Sequence, residues 1–277
     1  MIEKQSKFKR LKRQLRRGMT PTWFAHVAYQ TFAFLVSVAM IFGVATYAFT
    51  KSYEESELNL PNDFIISTRA ETFEVDNDSV PYISAIINSG VELCEFDVHS
   101  RPNKTLVVSQ ELVVTNNDGL ELAKVFELLK DKNVKINLNV RVAIDLKELK
   151  RLITEYDMQD YVIITGIEIY QVDSAKENFD DIEYYLNYMP GRMKIFGEDY
   201  QQKLVELLHS SGAVGINSPY AYAGARLSEV LHENGYKLAV TGVNDSIKMK
   251  RILVTSPDMI STDDYYELKD LIDNWYK

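Results

Sequence analysis

From Phe64 to the C-terminus, short apolar and β-branched runs recur eight times, and segments of helical periodicity separate most of them. The runs are Phe64–Ser67, Val91–Val98, Lys135–Arg141, Tyr161–Ile167, Ile182–Tyr188, Ala213–Asn217, Lys237–Val243 and Met259–Thr262. Strands that alternate with amphipathic helices imply a parallel sheet, because a parallel pair needs a crossover connection. Asp145–Tyr156 shows the helical stripe, with Leu146, Leu149, Leu152 and Ile153 on one face. Leu120–Leu129, Gln201–His209, Ala225–Glu233 and Tyr265–Trp275 repeat it, and Asp118 and Asp145 are placed as N-caps. Gln171–Phe179 lacks the stripe, and the fifth strand rests on Tyr-rich sequence alone. Eight βα units within residues 63–277 predict an α/β chain of the TIM (β/α)8 barrel type, near the short end of its usual size.

The first 62 residues do not fit that pattern. Trp23–Phe49 contains no Asp, Glu, Lys or Arg over 27 residues, more than the roughly 20 that cross a bilayer as a helix. Aromatic residues Trp23, Phe24, Tyr47 and Phe49 mark its ends, as interfacial residues do. Residues 1–20 carry eight Lys/Arg against Glu3, a net +7, while the remainder has 23 basic and 39 acidic residues, a net −16. A basic flank before an apolar run keeps the N-terminus in the cytoplasm. The run is too long for a signal-peptide core, and Thr46-Tyr47-Ala48 makes a poor cleavage site. The expected order is a basic cytoplasmic segment (1–20), a transmembrane helix (21–50), a linker (51–62) and an extracytoplasmic barrel (63–277). The acidic body excludes nucleic acid as its partner. The single cysteine, Cys94, forms no intramolecular disulfide and is expected to be a packed core thiol.

The candidate chemistry lies in residues 91–111. Glu95 and Asp97 stand two apart in a strand, so both project to one side near its C-terminal end, where barrel sites form. That geometry suits a divalent cation. A strand-like Thr105-Leu106-Val107-Val108 follows and ends in Ser109-Gln110-Glu111. The spacing resembles the metal-binding segment of the glycerophosphodiester phosphodiesterases, which runs Glu-x-Asp-Val, then Asp-Gly, then Val-Val-x-His-Asp. The resemblance extends over about residues 63–265. Ser67-Thr68-Arg69-Ala70 stands where the family has His-Arg-Gly; Asn77-Asp78-Ser79 stands where it has Glu-Asn-Thr. Ile136-Asn137-Leu138-Asn139-Val140-Arg141 replaces Ile-Glu-Ile-Lys, Thr241-Gly242-Val243-Asn244 replaces Trp-Thr-Val-Asn, and Asp258–Asp263 resembles Asp-Gly-Ile-Ile-Thr-Asp.

On that resemblance Arg69 and Arg141 bind substrate phosphate, and Glu95 and Asp97 are metal ligands. The two catalytic histidine positions hold Thr68 and Gln110, and a third ligand position holds neutral Asn139. Neither Thr nor Gln exchanges a proton near neutral pH, and each acid–base group typically contributes about 10²–10⁴ in rate. Calcium or magnesium is expected to bind weakly, if at all. His99 falls on the Asp97 face and is expected at the rim, as are Glu111 and the Tyr220/Tyr222 pair after strand six. Three functions follow: a degenerate phosphodiesterase-like barrel that binds a phosphate ester or a partner; an active metal-dependent hydrolase of glycerophosphodiesters or polyol-phosphate polymers; or a membrane scaffold subunit contacting a membrane protein through Gln30, Thr31 and Ser37.

Overall fold

The computed structural model describes residues 21–73, 75–76, 79–111, 114–141 and 144–276. The basic segment 1–20 and the Asn77-Asp78 pair lie outside the described residues. The chain divides at Glu55/Ser56 into two compact units.

Among the described residues, the first unit holds one helix, α1 (Pro21–Glu54). Its apolar stretch has a mean hydropathy of 2.1, and none of it is buried. Length and composition are sufficient to cross a membrane. The helix runs four residues past the expected boundary at 50, because Lys51-Ser52-Tyr53-Glu54 contains nothing that breaks it and Pro61 comes only later.

The second unit is a closed barrel of eight parallel strands. They are β1 (Ile65–Thr68), β2 (Leu93–Ser100), β5 (Lys135–Val140), β6 (Val162–Ile167), β7 (Tyr184–Asn187), β8 (Gly215–Pro219), β9 (Lys237–Thr241) and β10 (Met259–Thr262). Each pairs with the next, and β1 pairs with both β2 and β10, which closes the ring. A short antiparallel extension, β3 (Leu106–Val108) and β4 (Leu120–Glu121), builds onto the end of β2. All eight expected strands form, including Tyr184–Asn187 from the Tyr-rich segment.

Helices among the described residues cover the outside: α2 (Val80–Ser89), α3 (Leu122–Leu129), α4 (Leu146–Glu155), α5 (Val172–Asn178), α6 (Glu198–Ser211), α7 (Ala225–Glu233), α8 (Ser246–Leu253) and α9 (Tyr265–Asp273). Caps fix several starts. Asp145 accepts from the N–H groups of Lys147 and Glu148, at 3.0 and 3.3 Å, and Ser79 accepts from Tyr82 at 3.3 Å. Asp118 instead closes a turn by accepting from the Thr115 N–H at 2.6 Å, while Glu121 occupies the N-cap of α3. Two helices were absent from the sequence expectation, α2 and α8, and α5 forms despite its polar pattern.

Strand alternation sorts the core into two parts. The outward-facing side chains and the helices form one large apolar cluster. Cys94 belongs to it; it is fully buried against the Tyr82 hydroxyl at 3.6 Å, and burial pushes its thiol up to about 12. Inside the barrel, Leu93, Tyr185, Ala239 and Met259 make a separate plug with Ile65 and Ile163. That plug is the floor of the mouth described next.

Candidate functional site

Two residues along the strands above the plug, the lumen becomes polar. Ser67, Glu95, Asn137, Thr165 and Ser261 are all buried there, and they come from adjacent strands β10, β1, β2, β5 and β6. Glu95 is the centre. Its Oε2 accepts from Ser261 Oγ at 2.6 Å and from Asn137 Nδ2 at 3.0 Å, with Ser67 Oγ farther off at 3.5 Å. Asn137 is held in turn by Thr165 Oγ1, which donates to its Oδ1 at 2.9 Å. The other oxygen, Oε1, lies 3.3 Å from Arg69 Nε, which also sits 3.7 Å from Asp263 Oδ1. Burial raises the Glu95 pKa above its ordinary value, and Arg69 and the Ser261 hydrogen bond pull it back.

Asp97 stands one strand step nearer the mouth. Asn139 Nδ2 donates to its Oδ1 at 2.7 Å, and Arg141 pairs with its Oδ2. The register places Asn139 directly opposite Asp97, so the residue in the third ligand position serves the carboxylate as a donor. Gly166 makes this possible. Its φ is +86°, and a Cβ there would lie 2.3 Å from the Val140 carbonyl oxygen and 2.7 Å from Asn139 Oδ1. Farther around the mouth Asn187 Nδ2 donates to Glu168 Oε1, and Asn217 Nδ2 donates to Asn187 Oδ1, both at 3.1 Å. Asn244 pairs with Asp263.

The structure therefore brings Arg69, Glu95, Asp97, Asn139 and Arg141 together. It treats the remaining sequence candidates differently. Thr68 is fully buried, in register with Cys94 and Thr262; alternation puts it on the outer face of the wall, away from Glu95. Gln110 and Glu111 are exposed beyond β3, just after Ser109, whose N–H donates to the Asp97 carbonyl at 3.0 Å. His99 is half-buried on the Asp97 face, and desolvation lowers its pKa. Tyr220 is half-buried, with Lys248 Nζ 4.9 Å from its ring centre; Tyr222 is more exposed. Sequence reasoning missed Ser67, Asn137, Ser261, Asp263 and the Glu168–Asn187–Asn217 chain. The period of two was the available signal, since Ser67, Asn137 and Ser261 lie two residues from Arg69, Asn139 and Asp263.

The donor set does not fit the divalent ion that the family resemblance implies. Among the described residues no three His, Cys, Asp or Glu side chains come together around a cation-sized space. Both oxygens of each carboxylate already face Arg, Asn or Ser donors. Two guanidinium cations supply the compensating charge that a metal would bring.

No family model matches the sequence, and no curated protein matches it. Solved structures do. Its structural neighbours are glycerophosphodiester phosphodiesterases. A candidate enzyme of this kind from Silicibacter pomeroyi superposes with a TM-score of 0.63 at 14% identity, covering 79% of this chain and 96% of that one. One from Galdieria sulphuraria gives 0.62 at 15% identity, over 79% of this chain and 100% of that one. A phosphodiesterase from Oleispira antarctica, solved with sn-glycerol-3-phosphate, gives 0.60 at 15% identity over 78% and 98%. At such identities the likeness establishes a shared barrel, and function must be argued from the site.

Proposed function

We propose that the chain is a membrane-anchored barrel of the glycerophosphodiester phosphodiesterase type that holds a phosphate ester at its mouth without cleaving it. One observation carries the reading: the carboxylates that resemble metal ligands are each neutralised by an arginine and by neutral donors. Neither family histidine position carries an imidazole, so the acid–base pair that the resemblance implies is not in place. Arg141 is exposed beyond its contact with Asp97, and a guanidinium forks readily to phosphate oxygens.

The full chain, reconstituted in neutral-lipid nanodiscs, should release no glycerol 3-phosphate from glycerophosphodiesters with calcium or magnesium, and calorimetry should detect glycerol 3-phosphate binding that Arg141→Ala weakens. Installing Thr68→His with Gln110→His should not produce turnover, because position 68 faces the helices. A hydrolase built on His99 is the competing reading, since this imidazole shares the face of Asp97. Turnover lost in His99→Ala would establish it and end the non-catalytic reading.

We also place the N-terminus in the cytoplasm and the barrel outside, from the +7 flank before α1. Protease added to intact cells should then digest the barrel, and a fully protected barrel would reverse the orientation. The scaffold reading draws little support from α1. Ser37 Oγ donates to the Ala33 carbonyl at 2.9 Å, and Gln30 bonds His26 at 3.1 Å, so two of the three polar positions are engaged within the helix.

A further inference from the structure

A second cavity lies outside the barrel mouth, and its chemistry differs from that of the mouth. It has a volume of about 480 Å³ and sits between the segment after β7 and the start of α7, within the usual range of small-molecule sites, ~300–1,000 Å³. Its apolar walls include Pro190, Ile195, Phe196 and Tyr222. Phe196 is 66% exposed, so its ring is open to a ligand.

Three arginines line this cavity, Arg192, Arg226 and Arg251, against one carboxylate, Glu229. Arg226 is the one that pairs with Glu229, at 3.2 Å, and it also reaches Gln201. Arg192 uses Nε on the Ala221 carbonyl at 2.6 Å and lies 5.7 Å from the centre of the Tyr222 ring. Arg251 lies 5.9 Å from the Tyr220 ring. Among the described residues neither Arg192 nor Arg251 has a carboxylate within salt-bridge distance, whereas residues 21–277 as a whole are strongly acidic. The tyrosine rings attract both guanidiniums at cation–π range without neutralising them. The first turn of α7, entered through Gly224 without a side-chain cap, adds the positive end of a helix to the same wall.

We propose that this cavity is a binding site for an amphiphilic anion, a phosphate or carboxylate head joined to an apolar group. The head lies between Arg192 and Arg251, and the apolar group packs on Phe196, Ile195 and Tyr222. The site shares no lining residue with the polar mouth, although both are built at the C-terminal ends of the strands.

The test uses the full chain in phosphatidylcholine nanodiscs, titrated calorimetrically with hexyl phosphate and hexanoate, with empty discs as blank. Inorganic phosphate and hexanol supply the head and the tail alone. Hexyl phosphate should bind at least about 10-fold more tightly than either half-ligand, a difference of about 1.4 kcal/mol. Arg192→Ala with Arg251→Ala should weaken it by about 10-fold or more, with Arg192→Gln and Arg251→Gln as a second pair that retains side-chain bulk. Phe196→Ala should weaken hexyl phosphate but leave inorganic phosphate unchanged. Arg141→Ala, at the mouth, should have no effect on this affinity. Repeating the titration with phosphatidylglycerol in the discs separates the sources: lower apparent affinity assigns a bilayer headgroup as competitor, and unchanged affinity a free ligand. Affinity that survives both arginine pairs, that falls instead in Arg141→Ala, or that inorganic phosphate matches would overturn the proposal.

Discussion

The barrel holds two pairs of arginines in opposite circumstances. At the mouth, Arg69 and Arg141 face Glu95 and Asp97, carboxylates delivered by the same strand two residues apart. In the outer cavity, Arg192 and Arg251 lie 5.7 and 5.9 Å from tyrosine ring centres, with no carboxylate partner among the described residues. Burial accounts for the difference. Glu95 is buried in a lumen floored by Leu93 and Met259, and an isolated charge there would be severely penalised, so the fold must supply a cation and donors. The outer cavity opens to water, which solvates its guanidiniums until a ligand replaces it. Arg69, committed to the buried carboxylate, and the outer pair, held ready for a ligand, are therefore distinguished by what each would leave behind if removed.

Removing each in turn gives the largest expected contrast. Arg69→Met leaves Glu95 buried without its counter-charge. Breaking a buried pair typically costs about 3–5 kcal/mol, and the 28% exposure of the Arg69 side chain places this case nearer ~2–3 kcal/mol. Arg192→Ala with Arg251→Ala should change stability by no more than about 0.5 kcal/mol per site, as surface changes do. Urea unfolding of the full chain in detergent, followed by far-UV circular dichroism, measures both. Equal losses in the two variants would abolish the distinction.

Gly166→Ala probes how the mouth holds its donors. The left-handed backbone alone costs a non-glycine residue about 1–2 kcal/mol, and the added methyl would also press on the Val140 carbonyl and Asn139. The expected loss is about 2 kcal/mol, with weaker phosphate-ester binding at the mouth and unchanged binding in the outer cavity. A stability change below about 0.5 kcal/mol would mean that β6 relaxes here, where its pairing with β7 already shifts register.

Much of this was legible in the sequence, and the exceptions have physical causes. The eight strands announced themselves as apolar runs, since a barrel wall is buried on both faces along most of its height. The helix Val80–Ser89 was readable from Ser79, Pro81 and Gly90, a cap, a first-turn proline and a left-handed stop. Val172–Asn178 was not, because Ala175 is its one buried side chain and it therefore carries no stripe. At the site, matching motif positions found Arg69, Glu95, Asp97, Asn139 and Arg141 but assigned Thr68 to the mouth as well. A column match does not say which face of a strand a residue occupies; alternation from Glu95 through its partners Ser67 and Arg69 does. Ser261 went unnoticed because a serine acquires meaning only from the buried carboxylate opposite it. The outer cavity has no linear signature, since Arg192, Tyr222 and Arg251 come from three separate segments.

The smallest expected effect is also the most direct reading of how far the mouth is compensated. Burial raises the folded-state pKa of Glu95 above its ordinary 4.5, opposed by Arg69 and by the Ser261 hydrogen bond. A group raised on folding contributes stability that is complete below its unfolded pKa and is lost as pH rises through the folded value. The contribution of Glu95 to wild-type stability should therefore decline as pH climbs from about 4.5 through its folded pKa, and then level off. Glu95→Gln cannot ionise, so its stability relative to wild type should improve across the same window, even if it starts lower from a poorer contact with Arg69. The outer-cavity double variant should track the wild type at every pH, because among the described residues no carboxylate lies within salt-bridge distance of Arg192 or Arg251. Urea titrations of the three proteins between pH 4 and pH 8 resolve the curves. A constant difference between wild type and Glu95→Gln would show that Arg69, Asn137 and Ser261 cancel the burial of Glu95 completely, and that the mouth is as well balanced without a metal as an ordinary surface ion pair.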